Sequence, residues 1–420
     1  MPINSKLIAA NISITLLLFT GIESSAEDLL IDQYAPTQEE IALWEENAAL
    51  LVALDKTPPN ISPLSKDQQS VLHELDKACE QDLSHECQTH IKAHRVKLLS
   101  VLPDNPRYWQ NFWSIVEASN FLHLDFGNPG LGTNTLIEAS RYWFYRDLAD
   151  DGEIDIERML YLQQGIRNWR TGHQTILMRM IAVGMHMITS NQVSFAMAQA
   201  SRQRDLQALN QLLNVAKPAS LAEMSFGPVF WAEREYTLRN THQWMDDEPI
   251  SDVDVEYAMS LAENAAEQES IRLLVEDPKQ FHAADLDLIA QHYVPYSTTP
   301  WATYWIQGIP RVPEGFFPRL SFAAISAPAY GNYVETDRFG HFRSFLIPPL
   351  FDIYTGAASP GVPARPAPAH WQWVWYDGEQ PLLCLSTDKI HPSTHDFKKT
   401  PYEVCINYYD EKAVEALLIR

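Results

Sequence analysis

Residues 176–188 read ILMRMIAVGMHMI and form the most apolar stretch of the chain after its N-terminal segment. The stretch is shorter than the roughly 20 apolar residues that cross a bilayer, and it contains Arg179 and His186. A helical pattern surrounds it, from His173 to Ala200. The stretch therefore predicts a helix buried in a protein core rather than a membrane span, and with it a mainly α-helical fold.

Helical patterns continue on both sides of this stretch, from about residue 37 to residue 300. Thr37 and Glu40 match a capping box, and Pro106 stands at an early helical position where proline is tolerated. Further helical patterns cover residues 136–148, 156–169, 206–215 and 251–277. The helices show no strict repeat of about 33 or 34 residues, as ankyrin and tetratricopeptide arrays do. The sequence predicts an irregular helical bundle or superhelix over residues 27–300.

Residues 301–420 have a different composition. Prolines predict extended loops, above all at residues 359–368, with one further helix from Phe322 to Tyr330. Alternating side chains then predict three strands, at residues 371–376, 381–385 and 402–409. The turn after the first strand begins at Asp377-Gly378. We expect a small C-terminal β element that packs on the helical body.

The four cysteines fall into two local pairs, Cys79 with Cys87 and Cys384 with Cys405. An even number of cysteines in an exported chain favours disulfides. The first pair cannot bridge within one straight helix, so the chain must turn between the two residues, with Ser84 as the N-cap of the next helix. The second pair would tie the strands together. Free buried thiols are the alternative.

The first 26 residues have the three parts of a secretory signal peptide. Lys6 lies in a polar start, an apolar stretch runs from Leu7 to Ile22, and Ser24-Ser25-Ala26 supplies the small residues of a cleavage site. Cleavage is predicted before Glu27, which places the mature protein in the periplasm or outside the cell. An uncleaved membrane anchor is the alternative.

The formal net charge is −23, and 46% of the residues are hydrophobic. Such an acidic chain is not expected to bind nucleic acid or anionic lipid through a basic surface. No later segment is apolar for long enough to cross a membrane once the signal is removed. The sequence predicts no cofactor.

One segment resembles a known group of proteins. Residues 317–347 contain Ala327-Pro328-Ala329-Tyr330, and Asp352-Ile353-Tyr354-Thr355-Gly356 precedes the terminal hairpin. This part of the chain resembles uncharacterised exported helical proteins of bacteria. The resemblance implies a helical fold and carries no activity.

The strongest carboxylate candidate for catalysis is Glu117. Trp109, Trp113 and Glu117 recur every four residues and so line one helical face. A carboxyl group beside indoles can have a raised pKa and act as a general acid, and Asp125 would be its partner in a glycan-acting hydrolase. The alternative is an aromatic core face with Glu117 at its solvent edge.

Two further patterns, one of tryptophans and one of histidines, indicate candidate binding sites. Trp371, Trp373 and Trp375 share one strand face, which is either a stacking platform for a sugar or partner protein or a covered seam. His391 and His395 lie close together in a loop and are the candidate metal ligands of the C-terminal region. Solvent-exposed histidines without a metal are the alternative.

No complete catalytic constellation accompanies these candidates. The sequence therefore favours a non-catalytic periplasmic or envelope protein that binds a partner or ligand through a helical groove. The partner would be an envelope protein or a glycan. A glycan-acting hydrolase that uses Glu117 and a second carboxylate is the alternative.

Overall fold

A computed structural model describes residues 30–79, 83–118, 133–247, 252–261, 265–300, 322–388 and 402–417. The predicted signal peptide, Asp125, His391 and His395 lie outside the described residues. Within these ranges the chain is mainly α-helical and carries a three-stranded antiparallel sheet near its C-terminus, as the sequence predicts.

Twelve α-helices are described before residue 300. They are α1 (Gln38–Asp55), α2 (Lys66–Ala78), α3 (His85–Leu99), α4 (Pro106–Glu117), α5 (Thr133–Asp150), α6 (Ile156–Thr171), α7 (Ile176–Arg202), α8 (Leu206–Ala216), α9 (Gly227–Asp247), α10 (Asp252–Leu261), α11 (Ala265–Glu276) and α12 (Pro278–Ser297). A 3-10 helix, Leu30–Tyr34, precedes them. The Thr37 hydroxyl accepts a hydrogen bond from the Glu40 backbone N–H, so the predicted capping box starts α1.

The apolar stretch at 176–188 forms the first half of α7, the central helix of the fold. Every residue from Thr189 to Ala200 in its second half is buried. Helices α5, α6 and α8 pack around it. The apolar half leaves Leu177 and Met187 about 40% exposed, whereas the buried second half contains polar side chains such as Asn191 and Ser194, which hydrogen-bond to the Asn407 backbone. Among the described helices, none is long and apolar enough to cross a membrane.

Three further helices, α13 (Phe322–His341), α14 (Ile347–Tyr354) and α15 (Glu411–Leu417), complete the described helical part. A 3-10 helix, Phe342–Leu346, joins α13 to α14. Helix α13 is longer than predicted, because it runs on past Tyr330 to His341. Gly340 of α13 lies against α7, because a Cβ atom at this position would be only 2.5 Å from Cγ1 of Val183. Gly340 thus allows α13 to cross α7 closely.

The C-terminal strands are β1 (Gln372–Tyr376), β2 (Leu382–Thr387) and β3 (Tyr402–Asn407), in the order β1-β2-β3. Cys384 and Cys405 face each other across β2 and β3 and form a disulfide with Cα atoms 4.1 Å apart. The β element packs on the helices through Trp371, whose ring centroid lies 4.6 Å from that of Phe342. The predicted strands and disulfide are confirmed.

The Cys79–Cys87 disulfide is also formed, with Cα atoms 4.5 Å apart. Helix α2 ends at Ala78 and α3 begins at His85, so the chain turns between the two cysteines as predicted. The Ser84 hydroxyl accepts the backbone N–H of Cys87 at 3.2 Å and caps α3.

Each disulfide is expected to stabilise the fold according to the loop that it closes. The bonded cysteines are 21 residues apart for Cys384–Cys405 and 8 residues apart for Cys79–Cys87. We expect the double alanine variant of the first pair to lose about 3.4 kcal/mol of unfolding free energy, and that of the second about 2.5 kcal/mol. Equilibrium urea unfolding measures both values. A larger loss for the shorter loop would contradict loop closure as the cause.

Candidate functional site

A small cavity lies where α6 and α8 meet the C-terminal end of α13. Its volume is about 20 Å³, which is room for about one water molecule. We call it the Arg170 pocket, after the most buried cation in its lining. Apolar side chains make up much of its lining, and the basic and polar side chains are those of Gln163, Arg167, Arg170, Thr171, His186, Lys217, His341 and Ser344.

Arg167 and Arg170 occupy the C-terminal end of α6. A spacing of three residues places both side chains on neighbouring positions of one helical face. Asp155 caps the start of the helix, since its side chain accepts the backbone N–H of Arg158 at 3.1 Å. Cations at a helix C-terminus interact favourably with the helix dipole, so this end of α6 suits two arginines.

Arg170 and Arg179 share one buried carboxylate, that of Asp337. Arg179 donates to it twice, from Nε to Oδ1 at 3.3 Å and from Nη2 to Oδ2 at 3.0 Å. Nη2 of Arg170 lies 3.7 Å from Oδ1. Arg179 and Asp337 are fully buried, and Arg170 is 6% exposed. Arg179 therefore forms the stronger ion pair with Asp337, and the Asp337 carboxylate neutralises Arg170 only in part.

Arg167 has a carboxylate of its own. Its Nη2 atom donates to Oε1 and Oε2 of Glu223 at 2.8 and 3.1 Å, and its Nη1 atom donates to the Lys217 carbonyl. Lys217 follows the end of α8, and its side chain is exposed. Among the described residues of this group, two carboxylates thus serve three buried or half-buried guanidinium groups. One positive charge, centred on Arg170, is left in excess.

The Arg170 guanidinium also has an unused hydrogen-bond donor. Its Nε atom is buried and has no hydrogen-bond partner in the part of the chain that the structure describes. Burial lowers the pKa of Arg170 to about 10, while Asp337 acts in the opposite direction. Arg170 is therefore charged at neutral pH. A buried, charged N–H group without an acceptor is costly, and such groups mark ligand sites or ordered water.

His341 lies between two hydrogen-bond donors. Its Nδ1 atom is 3.0 Å from Nη2 of Arg170, and its Nε2 atom is 2.9 Å from the backbone N of Ala219. A guanidinium and a backbone N–H only donate, whereas a neutral imidazole accepts at only one of its two nitrogens. Donors therefore outnumber acceptors around this ring.

Both pocket histidines are neutral at pH 7. Burial lowers the pKa of His341 well below its usual range, and the charge of Arg170 adds to the effect. Burial and Arg170 likewise lower the pKa of His186, whose Nε2 atom shares a 2.8 Å hydrogen bond with the Ser344 hydroxyl. The positive field of the arginines therefore extends over both imidazoles.

Glu233 is a second buried titratable group, at the start of α7. Thr175 is the N-cap residue but makes no side-chain cap bond. Instead Oε1 of Glu233, from α9, accepts the backbone N–H of Ile176 at 2.5 Å. Burial raises the pKa of Glu233 to about 7, although this hydrogen bond acts against the shift.

The structure places the predicted carboxylate pair only in part. Glu117 is the last residue of α4 and is exposed, whereas Asp125 lies outside the described residues. The indole of Trp113 is half-buried and packs edge-on against Trp143, with ring centroids 5.1 Å apart. The Trp109 indole donates to the Pro103 carbonyl at 3.0 Å. The glycan-hydrolase alternative stays a prediction.

The tryptophan row of β1 is largely covered. Trp371 is buried, and Trp373 and Trp375 are half-buried against the core. Their indole N–H groups donate to the Arg365 carbonyl and to Asp377. His391 and His395 are not among the described residues. Elsewhere, the described ranges contain no group of three or more histidines, cysteines or acidic residues that would hold a metal ion.

Sequence reasoning did not assemble the Arg170 pocket. In the sequence Arg179 and His186 are polar interruptions of an apolar helix, and the predicted helix at residues 322–330 ends before Asp337 and His341. No protein-family model, curated protein or solved structure matches the chain. The chemistry of the site is therefore argued from its own geometry.

The shared carboxylate is expected to be essential for stability. Asp337→Asn keeps the shape of the side chain but leaves two buried guanidinium groups without a negative charge. We expect a loss of about 3–5 kcal/mol of unfolding free energy. The control is Asp388→Asn at the exposed end of β2, expected to change stability by less than about 0.5 kcal/mol. Urea unfolding compares the two, and equal effects would refute the role of Asp337.

The raised pKa of Glu233 predicts a specific pH dependence. The group stabilises the fold below its unfolded pKa of 4.5, and this contribution is lost as the pH rises through about 7. Glu233→Gln stays neutral throughout. Its stability relative to the wild type should therefore increase by about 2–3 kcal/mol between pH 5 and pH 8. Glu46→Gln, on an exposed position of α1, is the control and should show no such trend. A flat difference for Glu233→Gln would contradict the shift.

Proposed function

We propose that this chain is a non-catalytic binding protein that works outside the cytoplasm and holds a small ligand in the Arg170 pocket. The observation that carries the proposal is the buried Nε–H of Arg170, a donor without a partner among the described residues, on a side chain that lines a cavity. A ligand acceptor in the cavity would satisfy this donor.

The way in which the pocket is built favours binding over catalysis. Arg170 contacts Asp337 and His341, and His341 contacts the Ala219 backbone. These contacts fix the polar groups on packed helices, which is the arrangement that gives a ligand a preformed site. The two histidines are held neutral by burial and are already engaged in hydrogen bonds. Through these hydrogen bonds, His341 and His186 hold the neighbouring polar groups in place.

An extracytoplasmic location is consistent with the covalent structure. The chain forms two disulfides, and disulfides persist in oxidising compartments such as the bacterial periplasm. The predicted signal peptide at residues 1–26 supports the same location. A partner or glycan of the cell envelope remains the proposed source of the ligand.

The test uses the mature chain and small-molecule fractions of an envelope extract. A fraction that contains the ligand at about 100 times its dissociation constant should stabilise the protein by about 2.7 kcal/mol, seen as a rise in the unfolding midpoint. Ala219→Leu should remove the rise, because the larger side chain fills the cavity that Ala219 lines.

The matched control is Ala42→Leu, the same change on an exposed position of α1. It should respond to the fraction like the wild type. If Ala219→Leu is stabilised as much as the wild type, the Arg170 pocket is not the binding site. If no fraction stabilises the wild type, the proposal of a small ligand is wrong.

A further inference from the structure

The Arg170 pocket has a chemistry that selects its ligand. Resting on the proposed function, we infer that the pocket binds an oxyanion group, a carboxylate or a phosphate, of that ligand. Three observations on different atoms lead to this conclusion: the charge excess, the donor excess, and the position of the cations relative to the opening.

The first observation is the charge excess. Asp337 forms its shorter contacts with Arg179, at 3.0 and 3.3 Å, and lies 3.7 Å from Arg170. Glu223 is engaged by Arg167. An anionic group beside Arg170 would balance the remaining charge in a region from which most water is excluded, where charge interactions are strong. A cationic ligand would add to the imbalance.

The second observation is the donor excess. The Arg170 Nε–H has no acceptor among the described residues, and His341 cannot accept from both Arg170 and the Ala219 backbone. Nη2 of Arg170 and the Ala219 backbone N–H face the two nitrogens of this ring, and both residues line the cavity. An oxyanion only accepts, so its lone pairs can receive the Arg170 Nε–H without adding a donor. A neutral amide or hydroxyl would bring further donors to a site that already has too many.

The third observation concerns size and access. A cavity of about 20 Å³ has room for about one oxygen atom of such a group and not for a whole metabolite. The rest of the ligand would therefore extend through the opening. The exposed Lys217 and the half-buried Arg167 also line the cavity, and both attract an approaching anion.

The experiment measures the unfolding midpoint of the full mature chain against sodium phosphate and, separately, sodium acetate, at constant ionic strength. Acetamide is the neutral counterpart of acetate. We expect a saturable rise with at least one of the two anions and none with acetamide. A response to phosphate alone identifies a phosphate group, and a response to acetate alone identifies a carboxylate.

The variants assign the effect to the pocket. Arg170→Lys keeps the charge but loses Nε–H, so the midpoint rise should need at least tenfold more anion. Arg107→Lys, on an exposed position of α4, should match the wild type. Should Arg170→Lys fail to fold, Ala219→Leu provides the same test, because it blocks the cavity and leaves every charge in place.

Two results would overturn the inference. Equal responses to acetate and acetamide would show that charge is not recognised, and equal anion responses in wild type and Ala219→Leu would place the anion elsewhere. If neither anion acts but an extract fraction stabilises the wild type and not Ala219→Leu, the ligand is not an oxyanion while the proposed binding function holds. If neither anion nor any extract fraction acts, both proposals are wrong.

Discussion

The arrangement of the central helices depends on one buried ion-pair cluster. In it, the Asp337 carboxylate of α13 lies between Arg179 of α7 and Arg170 of α6. Removing such ions from water costs several kcal/mol each, and only good geometry offsets the cost. Arg179 supplies that geometry with two hydrogen bonds to Asp337 and a further one to the Met224 carbonyl. A shift of α13 by one turn, about 5.4 Å, would leave these charges unpaired. The pair therefore fixes α13 against α7, and through α13 it fixes His341.

Local patterns in the sequence were enough to predict much of this fold. The apolar stretch around Arg179 predicts a buried helix because no face of it is polar, and α7 is such a helix. The alternation at Trp371–Tyr376 predicts a strand, and β1 covers Gln372–Tyr376. The spacing of Cys79 and Cys87 requires a turn, which lies between α2 and α3. In each case the residues of the sequence pattern are the same residues, or near neighbours along the chain, as those that form the predicted element.

The candidate site was beyond such reasoning because its contacts are distant in the sequence. Arg179 and Asp337 are 158 residues apart, and Arg170 and His341 are 171 residues apart. Gly331 and Gly340 are also unfavourable in a helix interior, so the helical pattern of the second half of α13 is weak. Here Gly340 is a contact glycine that lets α13 approach Val183. The sequence pattern of a close helix crossing resembles that of a loop.

The excess charge at Arg170 connects stability with recognition. Folding has already removed this guanidinium from water, so an arriving anion does not have to displace a full hydration shell from it. A buried Nε–H without an acceptor costs about 1–3 kcal/mol, and an acceptor in the cavity recovers that free energy. Packing on α6 and the contacts to Asp337 and His341 hold the donor in place, so little side-chain entropy is lost on binding. The same burial thus makes the pocket a prepared site for a negative group.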